Sequence, residues 1–349
     1  MSQKLVVAID AMGGDAAPAM PVHGCDRASE RFPFVEFVLY GDEAALTPLV
    51  AKTKYLKNRA RVVHTPDTVP SDMKPSVALR AGRRSSMRLA IDSVKDGTAA
   101  GVVSAGNTGA LMAMAKIGLR MLPGIDRPAI ASFFPTSKGE SVMLDLGANV
   151  ECDANNLVQF ALMGEVFART VLGLTHPSVG LLNVGSEEMK GHDELRAAAA
   201  ILRETHLPIR FEGFIEGDDV PADTVDVVVT DGFTGNVALK IAEGTAKLYS
   251  GFLKGAFASS FLAKIGYVFA KSALTKVRLR TDPRRYNGAM FVGVNGIVVK
   301  SHGGTDALGF ANAIGVAVDM ATHGFNDKIK AELARLGVSA EPAAQAATG

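Results

Sequence analysis

Apolar residues in this chain fall repeatedly into short unbroken runs, each stopping on a small polar cluster. The first, Val6-Val7-Ala8-Ile9, gives way at Asp10 to Met12-Gly13-Gly14-Asp15. A continuous run, unlike an alternating one, predicts a strand covered on both faces, as in a parallel sheet. The paired glycines predict a sharp turn or a close approach to a ligand. The pattern returns at residues 101–103, which lead into Ser104-Ala105-Gly106-Asn107-Thr108-Gly109 and an Ala/Met/Leu helix. It returns again in SVMLDLGAN, where Asp145, Gly147 and Asn149 precede a helix expected from near Asp153. In SVGLLNVGSEEMKGHDEL, Asn183, Gly185, Ser186 and Lys190 precede a helix containing residues 195–202. In VDVVVTDGFTGNVALKIAEG, Asp231, Gly232, Thr234, Gly235 and Asn236 separate strand from helix. MFVGVNGIVVKSHGGTDALG predicts a hairpin turning at Asn295-Gly296, its second strand ending in Lys300, Ser301, His302, Gly303 and Gly304.

Alternation of strand and helix predicts right-handed βαβ crossovers and an α/β/α sandwich on a largely parallel sheet. In such a sheet the carboxyl ends of the strands share one edge, where ligands bind. The six polar turns are therefore expected to line one cleft, with helix N-termini aimed into it and favouring an anion.

Composition narrows the classes. In 349 residues, 37 Lys and Arg balance 36 Asp and Glu, which gives no bulk field for nucleic acid. Two cysteines, Cys25 and Cys152, without CxxC or metal-ligand spacing, point to a reducing compartment and no structural zinc. The N-terminus enters a strand at once, leaving no signal peptide, and no uncharged run is long enough to span a bilayer. A cytoplasmic location is expected. No GxxxxGK[ST], GxGxxG after a strand, GxSxG or HExxH occurs, so P-loop, Rossmann, α/β-hydrolase and zincin chemistry lose ground. Of seven histidines, only His192 and His302 fall in cleft segments.

Taken in order, DAMGGD (10–15), SAGNTGA (104–110), DLGAN (145–149), NVGSEEMKG (183–191) and DGFTGNV (231–237) resemble the bacterial acyl-ACP:phosphate acyltransferases, from residue 5 to about 336. The resemblance implies a fold akin to phosphate acetyltransferases and the isocitrate dehydrogenase superfamily. It also implies a homodimer that passes a fatty acyl group from acyl carrier protein to inorganic phosphate. The acyl phosphate would then serve a membrane glycerol-3-phosphate acyltransferase in phospholipid synthesis. No metal or redox cofactor is indicated. Two alternatives stay open: a short-chain phosphate acetyltransferase using acyl-CoA, and a non-catalytic acyl-carrier-binding sensor. An NAD- and metal-dependent decarboxylating dehydrogenase is disfavoured, because no carboxylate cluster suits the metal.

Attack of phosphate on a thioester needs alignment and oxyanion stabilisation more than a strong base. The candidate catalytic residues are Lys190 and Asn236 on the phosphate and Asn107, with the amides of residues 106–109, on phosphate or the thioester oxygen. Asp10, Gly13, Gly14, Ser104, Gly106, Thr108, Gly109, Asn149, Asp231, Thr234 and Gly235 are expected to bind substrate or orient donors. Lys300 and His302 are expected to assist the leaving sulfur or the phosphopantetheine. Each has a plainer reading. Lys190 would be a solvated charge, Asn107 and Asn236 helix caps, and Asp10 and Asp145 turn-stabilising carboxylates.

The chain is expected to form one domain over 1–337, with a flexible tail over 338–349. Within it, 251–285 carries eight Lys or Arg against Asp282 alone, and Leu253, Phe257, Phe261, Ile265 and Val268 or Phe269 recur at helical spacing. An amphipathic helical segment over about 251–277 would lie in a membrane interface, meet an acidic carrier protein, or be a dimer-interface or core helix with solvated lysines. A second basic cluster, Arg80, Arg83, Arg84 and Arg88, is expected on one helix after Pro75, for the carrier or as a solvated face.

Overall fold

The structure is a computed structural model that describes residues 5–204 and 209–335. The expected tail lies outside the described residues. The chain runs β1 (Leu5–Asp10), α1 (Ala19–Arg31), β2 (Val35–Gly41), α2 (Glu43–Ala51), β3 (Ala60–His64), α3 (Pro75–Ala81), α4 (Ser86–Lys95) and β4 (Gly101–Ser104). It continues through α5 (Thr108–Leu119), β5 (Ala129–Pro135), β6 (Glu140–Leu144), α6 (Ala154–Val171), β7 (Ser178–Leu182), α7 (Asp193–Glu204), β8 (Arg210–Ile215) and α8 (Asp219–Ala222). The remaining elements are β9 (Val227–Val229), α9 (Gly232–Ala258), α10 (Phe261–Arg280), β10 (Ala289–Val292), β11 (Ile297–Lys300), α11 (Ala307–Thr322) and α12 (Phe325–Arg335).

Unbroken apolar runs form strands here because both sheet faces are covered. In β1, Val7 and Ile9 enter one core layer, with α1, α6, α7 and α11, while Ala8 enters the other, with α3, α4 and α5. All eleven strands join one sheet in the order β3-β2-β1-β4-β11-β10-β5-β6-β9-β7-β8. Two predicted helix starts are capped as their sequences suggest. Asp153 accepts from the Asn156 amide in a reciprocal box at the start of α6, and Asn107 accepts from the Ala110 amide at α5.

One expectation fails at the centre of the sheet. Most neighbours are parallel, but β11–β10, β10–β5 and β5–β6 are antiparallel in succession. Three reversals leave β1, β2, β3, β4 and β11 pointing one way and β6, β7, β8 and β9 the other. The six polar turns therefore do not share one edge. Those after β1, β4 and β11 lie on a first rim, and those after β6, β7 and β9 on a second. The predicted hairpin at Asn295-Gly296 supplies one reversal. A second hairpin, β5–β6, closes through the Thr136 amide on the Gly139 carbonyl at 3.0 Å.

Two helix readings are also corrected. The arginine cluster does not sit on one helix: α3 ends at Ala81 with Gly82 as its cap, and Ser85 caps α4 by accepting from the Arg88 amide, so Arg83 and Arg84 fall in the turn. The basic amphipathic segment is likewise divided. Ser260 accepts from the Ala263 amide and starts α10, so Leu253 and Phe257 belong to α9, whereas Phe261, Ile265, Val268 and Phe269 belong to α10. The two helices meet where the Phe257 and Tyr267 rings stand edge to face, 5.5 Å apart.

On the opposite side of the sheet, fully buried Phe167 of α6 packs against Phe133 and Phe325, with ring centroids 5.5 and 5.9 Å away. Phe167→Ala is expected to cost about 3–5 kcal/mol of unfolding free energy, measured by chemical denaturation.

Candidate active site

The first rim is organised around Asp10, a carboxylate buried at the end of β1. One of its oxygens accepts from Ser86 Oγ of α4 and the other from Ser104 Oγ at the end of β4, each at 2.6 Å. Ser104 Oγ in turn accepts from the Gly106 amide at 3.0 Å. Burial raises the Asp10 pKa above the ordinary carboxylate value, against the lowering pull of the two serines, the Met12 amide and the Lys300 charge. With both oxygens occupied, Asp10 fixes the turns around it. It is not placed to take a proton from a substrate. Gly13 is required by this packing, since a Cβ there would lie 2.6 Å from Asp10 Oδ2 and 2.7 Å from the Gly106 nitrogen. Gly14 adopts a positive φ of 106°.

Lys300 ends β11 beside this carboxylate. Its Nζ donates to the Ser301 carbonyl and, at 3.4 Å, to the Ala105 carbonyl. Burial brings its pKa down to about 8, assisted by the charge of Lys240 and opposed by Asp10 and Asp15. The following turn is tied to the first: the Asp15 amide donates to the Gly303 carbonyl at 2.9 Å. His302 is exposed, and its Nδ1 accepts from the Gly304 amide. Asn287, which no sequence motif singled out, ties the segment down. Its Nδ2 donates to Ser301 Oγ (2.8 Å) and the Gly309 carbonyl (2.7 Å), and its Oδ1 accepts from the His302 amide (2.9 Å).

Asn107 also lies on this rim, but its side chain is already engaged. Oδ1 caps α5, and Nδ2 donates to the carbonyls of Ser71 (2.9 Å) and Met73 (2.8 Å), pinning the 70–73 loop. Thr108 is exposed on the first turn of α5, and Gly109 lets Pro75 pack close to it.

The second rim has its own buried carboxylate. Asp145 accepts from the amides of Ile130, Gly147, Ala148 and Asn149, and from Asn149 Nδ2, over 2.7–3.2 Å. Burial again raises its pKa against these bonds. Asn149 Nδ2 also donates to the Pro128 carbonyl at 2.7 Å, so its amide is spent on structure. Asp231 caps α9, accepting from the Thr234 amide and hydroxyl. A Cβ on Gly235 would overlap the Asp145 carbonyl oxygen, so only glycine lets α9 start this close to β6. Asn236 follows on the exposed side of α9, and its Nδ2 donates to the Leu146 carbonyl at 3.3 Å.

Lys190 is exposed in the turn between β7 and α7, a turn closed by Asn183 Nδ2 on the Lys190 carbonyl. Because β7 and β9 are parallel neighbours, this turn and the start of α9 share the second rim. The structure thus groups Asp10, Gly13, Gly14, Ser104, Gly106, Asn107, Lys300 and His302 on one rim. Asn149, Lys190, Asp231, Thr234, Gly235 and Asn236 fall on the other. Lys240, one turn beyond Asn236 on α9, is among the charges that lower the Lys300 pKa. Ser86, which donates to Asp10, was hidden in an arginine-rich stretch.

Neither cysteine is set up as a nucleophile. The Cys25 thiol is pushed up by burial, and that of Cys152 to about 12 by burial and then by Asp145 and Asp231. Of the arginine cluster, Arg84 pairs with Asp67 at 3.3 Å and Arg88 with Asp92 at 2.9 Å. Arg83, Arg88 and Asp92 line a shallow pocket of about 530 Å³.

Among solved structures the fold resembles a phosphotransacetylase from Streptococcus pyogenes, with a TM-score of 0.63 at 17% identity over 92% of this chain and 95% of that one. This likeness defines the class as an α/β protein of phosphotransacetylase-like architecture. The chain belongs to the bacterial phosphate acyltransferase family: residues 5–328 match the family described as "Fatty acid synthesis protein". It is 67% identical to the phosphate acyltransferase of Rhodospirillum centenum over 99% of this chain and 97% of that protein. The phosphate acyltransferase of Paramagnetospirillum magneticum is 62% identical, over 100% and 99% respectively.

Gly235→Ala is expected to displace the start of α9. Acyl phosphate formation should fall by about a hundredfold, the order that follows from an ångström-scale misplacement, as read by initial rates on the folded variant.

Proposed function

We propose that this phosphate acyltransferase moves a fatty acyl group from the thioester of acyl carrier protein to inorganic phosphate. The observation that carries this reading is the family match along almost the whole chain. The polar, amide-rich turns with lysines at both rims suit the chemistry. A phosphate oxygen attacks the thioester carbonyl, the tetrahedral oxyanion collapses, the C–S bond breaks, and acyl phosphate and the carrier thiolate leave. The dianion is already ionised near neutral pH, so no strong base is required. Lys190 and Asn236 hold the phosphate, Lys190 supplying charge and Asn236 a directed amide. Asp10 and Asp145 position donors. Asn107 contributes by shaping the amide-rich turn at 106–109, since its side chain is committed to the 70–73 loop.

Carrier, dimer and membrane contacts belong to the same reading. Phe233, Val237, Ile241, Leu248 and Phe252 are exposed at spacings that put them on one face of α9, and no residue of α10 is buried. Such a face suits a second copy of the chain. The tip, with exposed Phe261, Leu262 and nearby lysines, suits a membrane interface. Among the described residues no helix is long and apolar enough to cross a membrane. Contact at the interface would release acyl phosphate close to a membrane glycerol-3-phosphate acyltransferase.

Lys190→Ala and Asn236→Ala are each expected to lower hydroxylamine-trapped acyl phosphate by about 10²–10³-fold, with the unfolding midpoint unchanged for the exposed Lys190 and stability lowered by only about 1 kcal/mol for Asn236, which loses its bond to the Leu146 carbonyl. Near-normal rates from the folded variants would remove them from the site. Palmitoyl carrier protein and acetyl-CoA, compared as donors, separate this reading from a short-chain enzyme. Phe261→Glu is expected to reduce co-sedimentation with anionic liposomes while leaving turnover in detergent-free solution unchanged.

A further inference from the structure

Three neighbouring helices that leave the first rim together border a groove on the surface. Leu79 of α3, Arg83 of the turn after it, Arg88 and Asp92 of α4, and Ile117 of α5 line its volume of about 530 Å³. Each wall is fastened where it meets the rim. Asn107 Nδ2 holds the carbonyls of Ser71 and Met73 just ahead of α3, Ser86 Oγ ties the start of α4 to Asp10, and Asn107 Oδ1 caps α5. Glycines draw both ends of α3 onto α5. A Cβ on Gly109 would lie 2.8 Å from Pro75 Cγ, and one on Gly82 would lie 2.8 Å from Met114 Cε. From Thr108 to Ile117 the helix rises about 14 Å, which sets the far end of the groove that distance behind the amide turn at 106–109.

The charges around the groove are unequal. Arg88 spends its guanidinium on Asp92 at 2.9 Å, and Arg84 pairs with Asp67 at 3.3 Å. Arg83, Arg80 (next in the chain to Leu79) and Lys116 (next to Ile117) are exposed and meet no carboxylate among the described residues. Arg80 Nε donates to the Ser76 carbonyl of its own helix, at 3.3 Å. Ile117 is 59% exposed, so an isoleucine faces water between these cations. Folding gains little from either feature. A groove with apolar sides and unpaired cations along its edge fits an α-helix that offers carboxylates on one side and an apolar residue on the other.

We propose that the acyl carrier protein lays an acidic helix in this groove. Arg80 and Arg83 meet its carboxylates, Leu79 and Ile117 meet its apolar residues, and its phosphopantetheine arm runs along α5 to the amide turn at 106–109. This rests on the acyl transfer reading above and gives the acyl donor its place on the molecule.

The test compares the full chain with Arg83→Glu, Arg80→Glu/Arg83→Glu, Ile117→Glu and Arg83→Lys, all at exposed positions where unfolding midpoints should stay at the wild-type value. With palmitoyl carrier protein as donor, Arg83→Glu and Ile117→Glu are each expected to raise KM roughly tenfold at unchanged kcat, and the double reversal further. Arg83→Lys should keep most of the affinity. With palmitoyl phosphopantetheine, a donor without the protein body, the rates of all variants should equal the wild type's. Added salt should raise the wild-type KM for the carrier and have less effect on the double reversal. A carrier KM that none of the substitutions moves overturns the proposal. So does an equal loss with palmitoyl phosphopantetheine, which assigns the arginines to the phosphate of the arm. Loss of co-sedimentation with anionic liposomes at unchanged carrier KM overturns it in favour of a lipid surface. Binding of carrier protein measured by fluorescence anisotropy, without turnover, separates the two readings. Wild-type protein that binds the carrier through Arg83 but forms no acyl phosphate overturns acyl transfer and leaves the docking groove standing.

Discussion

Three antiparallel pairings in succession, β11–β10, β10–β5 and β5–β6, turn the polarity of the sheet around at its centre. Everything about the candidate site follows from that reversal. Strand ends are where a parallel sheet offers backbone and small polar residues to a ligand. Here there are two sets of strand ends, facing opposite ways. Helix α9 starts against Asp145 on the second rim, where only glycine at position 235 permits the approach.

The two buried carboxylates play matching parts. Asp10 and Asp145 each end a central strand, and each has its charge desolvated and answered by converging donors: two hydroxyls for Asp10, a set of amides for Asp145. Burial of a carboxylate is costly unless its lone pairs are satisfied, and the satisfied form rigidifies what surrounds it. Both therefore work as anchors for glycine-rich turns. This division suits a reaction whose nucleophile arrives already ionised, because such a site gains more from fixed dipoles and cations than from a side chain that trades protons.

Much of this was legible in the residues. The continuous runs at 6–9, 101–103 and 227–229 announced strands with both faces buried, and the glycine and asparagine turns announced their ends. The polarity reversal was not legible. Periodicity tells which residues are buried but carries no record of strand direction, and β5 lay outside the six runs that the polar turns marked. The break at Ser259-Ser260 was missed because the apolar spacing runs through it almost undisturbed. Asn107 showed a different limit: the same residue type serves as ligand or as cap, and only the placement of the Ser71 and Met73 carbonyls shows where its hydrogens go.

Asn287 carries this last point further. Its two amide hydrogens and its carbonyl oxygen are all used to hold the segment from Ser301 to Gly309. Aspartate has the same outline and would fill the same space, yet it has no hydrogen to give to Ser301 or Gly309 and would bring a charge into a buried place. At this position the chain is specified by proton count and not by shape, so the isosteric exchange is the one the fold is least able to absorb.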